Sequence, residues 1–358
     1  MSITLTHKIC LAPTIKQEQY FRKACGTARF TWNWALNEWQ NHSKLGLKPT
    51  ALKLKKQFNA IKPAQFPWAY EVTKYASQQP FIFLQTAFKR FFEGTSRYPK
   101  FKKKGHRDSF YVGNDQLKVS GNHLKIPKLG PIKMHETLRF QGEIVRATIS
   151  RTAHKWFVSL TVKLLQAPTS CESQAGVGVD LGIKSLATLK EGSTFKAPKP
   201  LKKYLKKLKR LQRTLCRREK DSHNRSKLKQ QIAKVHAKSV QIRQNSLHQL
   251  TSYLTTHFGG IVIEDLNVKG MMANHKLARA ISDLGFYEFR RQLEYKSELY
   301  GNYLLIAERW FPSSKTCSSC GNLKEELKLS ERIYHCDACG HQIDRDLNAA
   351  QNLKNLLF

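Results

Sequence analysis

The sequence feature that most constrains the fold is an apolar, glycine-flanked run that ends in a carboxylate, Ala175-Gly-Val-Gly-Val-Asp180. A short β-branched run bounded by turn formers is typical of a buried strand. The apolar pattern resumes at Ile183, Leu186 and Ala187, which indicates a tight turn and a second antiparallel strand. A carboxylate in so apolar a segment costs free energy unless it is paired or binds a cation, so Asp180 should have a partner.

Two later segments place acids in comparable settings. Gly259-Gly-Ile-Val-Ile-Glu264 is again a β-branched run ending in an acid, and Asp344-Arg-Asp346 precedes an Ala/Leu run with helical spacing. Each acid taken alone could be a turn former or a helix N-cap. Taken together, two acids at strand ends and one at a helix start could converge on a hard cation, which would make a site for metal-assisted phosphoryl chemistry.

The charge of the chain indicates a polyanionic partner. Its 358 residues include 62 Lys plus Arg and 26 Asp plus Glu, a formal net charge of +36. Such an excess repels itself unless a polyanion neutralises it, which favours nucleic acid. A basic membrane-surface protein is the alternative, but we find no apolar run of about 18 residues and no signal peptide. We therefore expect a cytoplasmic protein with no membrane partner.

Four of the eight cysteines are clustered in a pattern typical of zinc binding. Fifteen residues separate Cys317-x-x-Cys320 from Cys336-x-x-Cys339, and a glycine follows each pair. This spacing can place four thiolates around one structural zinc ion. A redox dithiol pair or disulfides are the alternatives. The other four cysteines are isolated and are interpreted as ordinary thiols.

Periodicity predicts an α+β protein of several domains. An N-terminal strand (1–15) and the short strands of 96–172 indicate a small β-barrel, interrupted by a helical domain at 16–95. A polar linker near residue 172 precedes an α/β domain formed by 173–312 and 341–358, into which the ribbon of 313–340 is inserted. The aromatic residues of the first helix, including Trp32 and Trp39, could stack on bases but are predicted to be core. Residues 267–282 are predicted to be a mobile loop.

Two basic segments are candidates for contacting phosphates. One is a loop with interleaved aromatics, and the other is one face of a predicted antiparallel helical pair beginning at Pro200. An ordinary solvated charge run is the alternative for the loop. The residues concerned are Arg97, Lys100, Lys102, Lys103, Lys104 and Arg107 in the loop, and Lys206, Arg210, Arg213 and Arg217 on the helix.

The order of these motifs resembles the TnpB family of insertion-sequence proteins, ancestral to compact type V CRISPR effectors. The resemblance covers essentially the whole chain. It is carried by Gly-Val-Asp180-Leu-Gly-Ile, Ile-Glu264-Asp-Leu, Phe-Pro-Ser-Ser-Lys-Thr-Cys-x-x-Cys, Cys-x-x-Cys-Gly and Asp344-Arg-Asp346-x-Asn-Ala-Ala, and in the N-terminal half by Ala87-Phe-Lys-Arg-Phe-Phe and Tyr98-Pro-Lys-Phe-Lys.

The resemblance implies an RNA-guided DNA endonuclease with an RNase H-like, RuvC-type nuclease domain, a wedge-type barrel and a helical recognition domain. A guide RNA from the element's end would direct cutting of double-stranded DNA beside a short transposon-adjacent motif. Asp180, Glu264 and Asp346 would be the catalytic acids holding two Mg²⁺ about 4 Å apart, and the four clustered cysteines would hold one Zn²⁺.

The same resemblance suggests further roles and two alternatives. Lys74 and Gln78, four residues apart on one helix face, are candidate readers of the adjacent motif. The protein would act as a monomer with RNA on the nucleoid of a prokaryote. A repressor that is guided by RNA but does not cut, and a transposase that joins DNA strands, are the alternatives. A zinc-ribbon transcription factor would leave Asp180 and Glu264 unexplained.

Overall fold

The protein is described by a computed structural model that covers residues 3–166, 170–328 and 330–357. The chain divides into two compact units, Met1–Ala167 and Pro168–Phe358. Each combines helices with a β-sheet, so the α+β class is confirmed.

The first unit is built on a seven-stranded sheet in the order β2-β6-β7-β1-β5-β4-β3. The N-terminal strand lies inside this sheet, antiparallel to β7 with Ile9 opposite Val158, and it also pairs with β5. Among the described residues, the outer strands β2 and β3 are not paired with each other, so a closed barrel stays a prediction. The strands are β1 (Thr4–Ala12), β2 (Ser109–Gly113), β3 (Lys118–Ser120), β4 (His123–Ile126), β5 (Leu129–Met134), β6 (Gly142–Thr152) and β7 (Lys155–Leu164).

Three helices are inserted between β1 and β2: α1 (Ile15–Lys44), α2 (Ala51–Gln65) and α3 (Lys74–Phe92). A capping box starts α1, because the Thr14 side chain accepts from the Gln17 amide while the Gln17 side chain accepts from the Thr14 amide. Trp32 and Trp39 are buried as predicted, and the Trp39 ring stacks on Phe88 at 4.2 Å. A short 3-10 turn, Pro67–Glu71, precedes α3.

The second unit is built on a five-stranded sheet in the order β10-β9-β8-β11-β12. Strands β8, β11 and β12 are parallel, and β9 and β10 are antiparallel additions. The run around Asp180 therefore forms a strand and an antiparallel neighbour, as predicted. The strands are β8 (Gly176–Asp180), β9 (Ser185–Leu189), β10 (Thr194–Lys196), β11 (Gly260–Glu264) and β12 (Tyr303–Ala307).

Helices α4 (Pro200–Cys216) and α5 (His223–His257) form the predicted hairpin, joined by Leu208, Leu211 and Val235. The prediction of a loop at 267–282 is wrong, because that stretch holds α6 (Val268–Ala273) and most of α7 (Ala278–Leu284). Neither helix is long enough to show a clear apolar period in the sequence. Helix α8 (Phe286–Tyr300) follows and packs on α5.

The cysteine segment folds as a two-stranded hairpin, β13 (Ile333–His335) with β14 (Gln342–Asp344). The hairpin continues past residue 340, the predicted end of the ribbon, and runs directly into α9 (Arg345–Lys354). Helix α9 packs closely on β8: a Cβ at Gly178 would lie 2.0 Å from the Ala350 carbonyl oxygen. Glycine is therefore required at this position.

In the part of the chain that the structure describes, no helix is both long and apolar enough to cross a bilayer.

Candidate functional site

Asp180 and Glu264 are brought together by the register of two parallel strands. Val179 on β8 pairs with Ile263 on β11, so the acid that follows each of them stands at the same edge of the sheet. Carboxyl ends of neighbouring parallel strands are a recurrent place for functional groups. The two predicted acids therefore share one end of the central pair of strands.

Asp346 reaches the same region from α9. This helix packs against β8, and Asp346 lies in its first turn. Asp344 is the N-cap, since its carboxylate accepts from the amides of Asp346 at 2.9 Å and Leu347 at 3.1 Å. Asp344 thus caps the helix, and Asp346 lies near enough for its charge to raise the pKa of both Asp180 and Glu264. Among the described residues, the ligand atoms of the three acids do not all lie within 4.8 Å of one another.

The electrostatics of this group are those of carboxylates close enough to repel one another, with the Arg345 guanidinium as the nearby cation, its Nε 3.9 Å from Asp346 Oδ1. Burial raises the pKa of Asp180 well above its ordinary value, and the charges of Glu264 and Asp346 raise it further. Burial also raises the pKa of Glu264, which the Ser313 hydrogen bond partly offsets. A divalent cation would relieve both costs, so the carboxylates suit a hard metal ion.

Ser313 is a member of the site that sequence reasoning missed. Its hydroxyl donates to Glu264 Oε1 at 2.6 Å, and the side chain is buried. Ser313 belongs to the Phe-Pro-Ser-Ser-Lys-Thr-Cys motif, and its position in that motif is the only sequence feature that sets it apart from other serines. Only the fold shows that the hydroxyl points to an acid 49 residues away.

Asp265, left outside the acid group, is held by two guanidinium groups. It accepts from Arg290 at 2.7 Å and from Arg309 at 2.5 Å. The Arg309 hydrogen bond is the main reason that the pKa of this carboxyl is lowered. Asp265 is therefore a paired, ionised carboxylate, unlike its neighbour Glu264. A cavity of about 330 Å³ lies beside them, with Arg290 and Glu264 in its wall.

The four clustered cysteines are arranged for a metal ion. Among the described residues, these cysteines form the one group of three or more His, Cys, Asp or Glu side chains whose ligand atoms all lie within 4.8 Å of one another. The Sγ atoms are 3.7 Å apart for Cys317 and Cys339 and 3.6 Å apart for Cys320 and Cys336. Four sulfurs at about 2.3 Å from zinc are separated by about 3.8 Å in a tetrahedron. The separations fit zinc and are far longer than a disulfide bond of about 2.05 Å.

In the second cysteine pair, Cys336 and Cys339, backbone amides favour the thiolate of Cys336. The amide of Cys339 and, less strongly, that of Ala338 hold the pKa of Cys336 at about 6, well below its ordinary value. A thiol that ionises easily is a ready metal ligand. The cluster could therefore hold zinc.

The predicted phosphate-contacting residues are all at the surface, and one of them, Lys102, also contacts helix α1. The loop residues and the four helix residues are exposed. Lys102 lies over the Trp32 ring at 4.0 Å, and the loop backbone is fixed to α1 because the Asn33 side chain bonds both the amide and the carbonyl of Lys102. The exposed residues are Arg97, Lys100, Lys102, Lys103, Lys104, Arg107, Lys206, Arg210, Arg213 and Arg217.

Lys74 and Gln78 lie on α3, where Lys74 is engaged by a carboxylate. Its Nζ is 2.7 Å from Asp115 Oδ2, and the Tyr75 hydroxyl donates to Asp115 Oδ1 at 2.6 Å. That hydrogen bond raises the pKa of Tyr75 to about 12. Lys74 is therefore a positioned cation, and Gln78 is half-buried one turn further along the helix.

Three family models match parts of the chain. They are described as "Probable transposase" over residues 159–275, "Cas12f1-like, TNB domain" over 286–353 and "Helix-turn-helix domain" over 1–48. The last range holds a strand and one long helix in this structure.

Several proteins are similar over most of their length. A protein of Escherichia coli K12, "Putative RNA-guided DNA endonuclease InsQ", is 32% identical over 367 residues, covering 97% of this chain and 90% of that protein. A "Putative RNA-guided DNA endonuclease" of Streptomyces pristinaespiralis is 38% identical over 301 residues, covering 82% and 73%. A solved Cas12f1–sgRNA–target DNA complex aligns with 99% of this chain at 17% identity and a TM-score of 0.37.

Proposed function

Because the chain belongs to the TnpB family, we propose that it is an RNA-guided DNA endonuclease whose hydrolytic centre is formed by Asp180, Glu264 and Asp346. The names of its relatives support guided DNA cleavage. The observation that supports the centre is the register of β8 and β11, which puts two acids side by side, with α9 bringing the third. We infer a RuvC-like nuclease domain in the second unit from this arrangement.

The three carboxylates are proposed to hold two magnesium ions. Magnesium at this position would supply an ionised water as the nucleophile and neutralise charge on the phosphate. The chain's own part is to hold the carboxylates in place. Ser313 does so for Glu264 by its hydrogen bond, and Asp344 fixes the backbone at Asp346 by capping α9. In-line hydrolysis would leave a 5′-phosphate and a 3′-hydroxyl.

The cysteine cluster is proposed to hold one structural zinc ion. Four thiolates leave no open coordination position, so zinc here would fold the ribbon and take no part in hydrolysis. The tetrahedral sulfur separations support this assignment.

A guide RNA and double-stranded DNA are the proposed partners. Base pairing between guide and target would select the sequence, while the protein reads duplex shape and a short adjacent motif. The same division of recognition is found in other RNA-guided nucleases. We assign the exposed cations of the loop 97–107 and of α4 to the nucleic-acid backbone. Lys74 and Gln78 are assigned to the adjacent motif, with Asp115 and Tyr75 fixing Lys74. The seven-stranded sheet and α1–α3 would be the wedge and recognition domains.

The proposal is tested by isolating the RNA that copurifies with the protein. The RNA is sequenced, and the complex is directed to a plasmid library in which the bases flanking the target are randomised. We expect one discrete RNA, and magnesium-dependent cutting that enriches one flanking sequence. Specific RNA with binding but no cutting would instead support a repressor. The absence of a discrete RNA would overturn the proposal.

A strand-joining transposase is a second candidate, because one matching family model is described as "Probable transposase". It would use similar acids but would join the cut ends to a new target. Sequencing the products of the same reaction separates the two, since a transposase gives joined DNA and an endonuclease gives free ends.

A further inference from the structure

We propose that the cysteine ribbon positions two of the three carboxylates, Glu264 and Asp346, so that zinc binding and divalent-ion binding at the acids are coupled. Ser313, Asn348 and Asn352 are the positioning residues. The inference rests on the proposed function only in taking the acids as a metal site. It is carried by three separate attachments between the ribbon and the elements that bear the acids.

The first attachment ties the first cysteine knuckle to α9 through two buried asparagines. Asn348 Nδ2 donates to the Thr316 carbonyl at 2.7 Å, and Asn348 Oδ1 accepts from the Ser318 amide at 2.9 Å. The knuckle residue Cys317 lies between these two contacts. Asn352, one turn along the helix, donates to the carbonyls of Thr316 at 2.6 Å and Ser313 at 2.8 Å. Both asparagines are at most 5% exposed.

The second attachment is the direct continuation of the ribbon into the helix that bears Asp346. Strand β14 ends at Asp344, and the next residue starts α9. The Arg345 amide also donates to the Arg332 carbonyl at 2.8 Å, beside the start of β13. Asp346 is therefore two residues from the ribbon's last hairpin pair, with no flexible linker between them.

The third attachment joins Glu264 to the segment that precedes the first cysteine pair. Ser313 donates to Glu264 Oε1 at 2.6 Å, and its own carbonyl is one of the oxygens held by Asn352. The turn after it is tight, since the amides of Lys315 and Thr316 both bond the Pro312 carbonyl at 3.0 Å. Only three residues thus separate Ser313 from Cys317.

These contacts form one continuous path from Glu264 through Ser313 and Asn352 to α9 and Asp346. The first cysteine pair is attached to this path through Thr316 and Ser318. A zinc ion that fixes the knuckle would restrict this path, and a cation shared by the carboxylates would restrict it from the other end. By linkage, each metal should then tighten the binding of the other by the same factor. Couplings of this kind are typically about 5–150-fold.

The test measures metal binding on the full chain, without RNA or DNA. Mn²⁺ serves as the probe for the carboxylates, because it prefers oxygen ligands while the thiolates prefer zinc. Its binding is followed by electron paramagnetic resonance. The affinity for zinc is measured by equilibrium competition with a chromophoric chelator, with and without saturating Mn²⁺. The variants are Ser313→Ala and Asn352→Asp. Asn352→Asp keeps the side-chain volume but replaces the Nδ2 donor with an acceptor oxygen. Gln351→Glu makes the same amide-to-acid change on a half-exposed neighbour.

In the wild type and in Gln351→Glu, we expect Mn²⁺ to tighten zinc binding about tenfold, and in Ser313→Ala and Asn352→Asp we expect less than about twofold tightening. Equal tightening in all four proteins would overturn the positioning roles of Ser313 and Asn352. If Mn²⁺ binds the wild type, binds Asp180→Asn more weakly, yet never affects the affinity for zinc, the coupling is wrong while the acid centre stands. If Mn²⁺ does not bind the wild type, the acid centre of the proposed function is wrong as well. Ser313→Ala removes one hydroxyl, so it keeps the test valid if Asn352→Asp does not fold.

Discussion

Val179 and Ile263 are partners on two parallel strands, and the residue after each of them is a carboxylic acid. This single register defines the proposed active centre. A one-residue slip of either strand would turn its acid to the other face of the sheet. The tight contact between Gly178 and α9 keeps the third acid close to the same strand end.

The two acids of the last motif should respond differently to removal of their charge. Asp346→Asn is expected to reduce the rate of DNA cleavage by about 10³-fold or more, because a proposed metal ligand is lost. Asp344→Asn should keep near-wild-type cleavage, since asparagine caps a helix as well as aspartate does. Cleavage rates under single-turnover conditions decide between them. Equal loss in both variants would contradict the division of roles.

The cysteine cluster should bind one zinc ion per chain. Elemental analysis of Cys336→Ser is expected to show loss of that zinc and a lower midpoint of thermal unfolding, because a structural metal contributes folding free energy. Cys216→Ser is the matched control, as this exposed thiol lies outside the cluster. A full complement of zinc in Cys336→Ser would contradict the assignment.

Lys296 should give the second unit an alkaline pH dependence of stability. Its ammonium is buried between α5 and α8, where it donates to Thr251 at 2.7 Å and to Ser252 at 2.8 Å. Burial lowers its pKa from 10.5 to about 8. Between these two values the unfolded chain binds more protons than the folded one, so the free energy of unfolding should rise with pH across this window.

The measurement is chemical denaturation of the wild type and Lys296→Met from pH 7 to pH 11. The difference between their unfolding free energies should change by up to about 3 kcal/mol across the window. Lys203→Met, an exposed lysine on α4, is the control and should give no such change. If the unfolding free energies of the wild type and Lys296→Met differ by the same amount at every pH in this range, the buried lysine keeps its ordinary pKa.

Charges on α4 should set the salt dependence of RNA binding. Replacing Lys206, Arg210, Arg213 and Arg217 with glutamine is expected to weaken the guide complex and to reduce the slope of log affinity against log salt by about 0.7 for each lost contact with single-stranded RNA. The control changes the three arginines to lysine, which keeps the charge. Filter binding from low to high salt measures both. An unchanged slope in the glutamine variant would mean that RNA does not lie along this face.

The sequence was sufficient for the residues whose chemistry depends on local pattern. Asp180 and Glu264 end β-branched runs, Asp346 starts a periodic helix, and the cysteine spacing indicates a metal, so each could be found without knowing the fold. Ser313 could not, because its partner is distant in the chain and any serine satisfies local rules. The helices at Val268–Ala273 and Ala278–Leu284 were missed because they are short. Lys296 lies in an ordinary helical sequence, and its burial depends on the packing of α8 against α5, which the sequence does not show.

The most direct test of the account is to reprogram the purified complex. The segment of its RNA that pairs with the target is replaced with a sequence matching a chosen plasmid site, and cutting is measured for the wild type, Asp180→Ala and Asp344→Asn. We predict that the wild type and Asp344→Asn cut the new site and no longer cut the old one, while Asp180→Ala binds the same RNA without cutting. Cutting that ignores the new guide, or that persists in Asp180→Ala, would contradict the account.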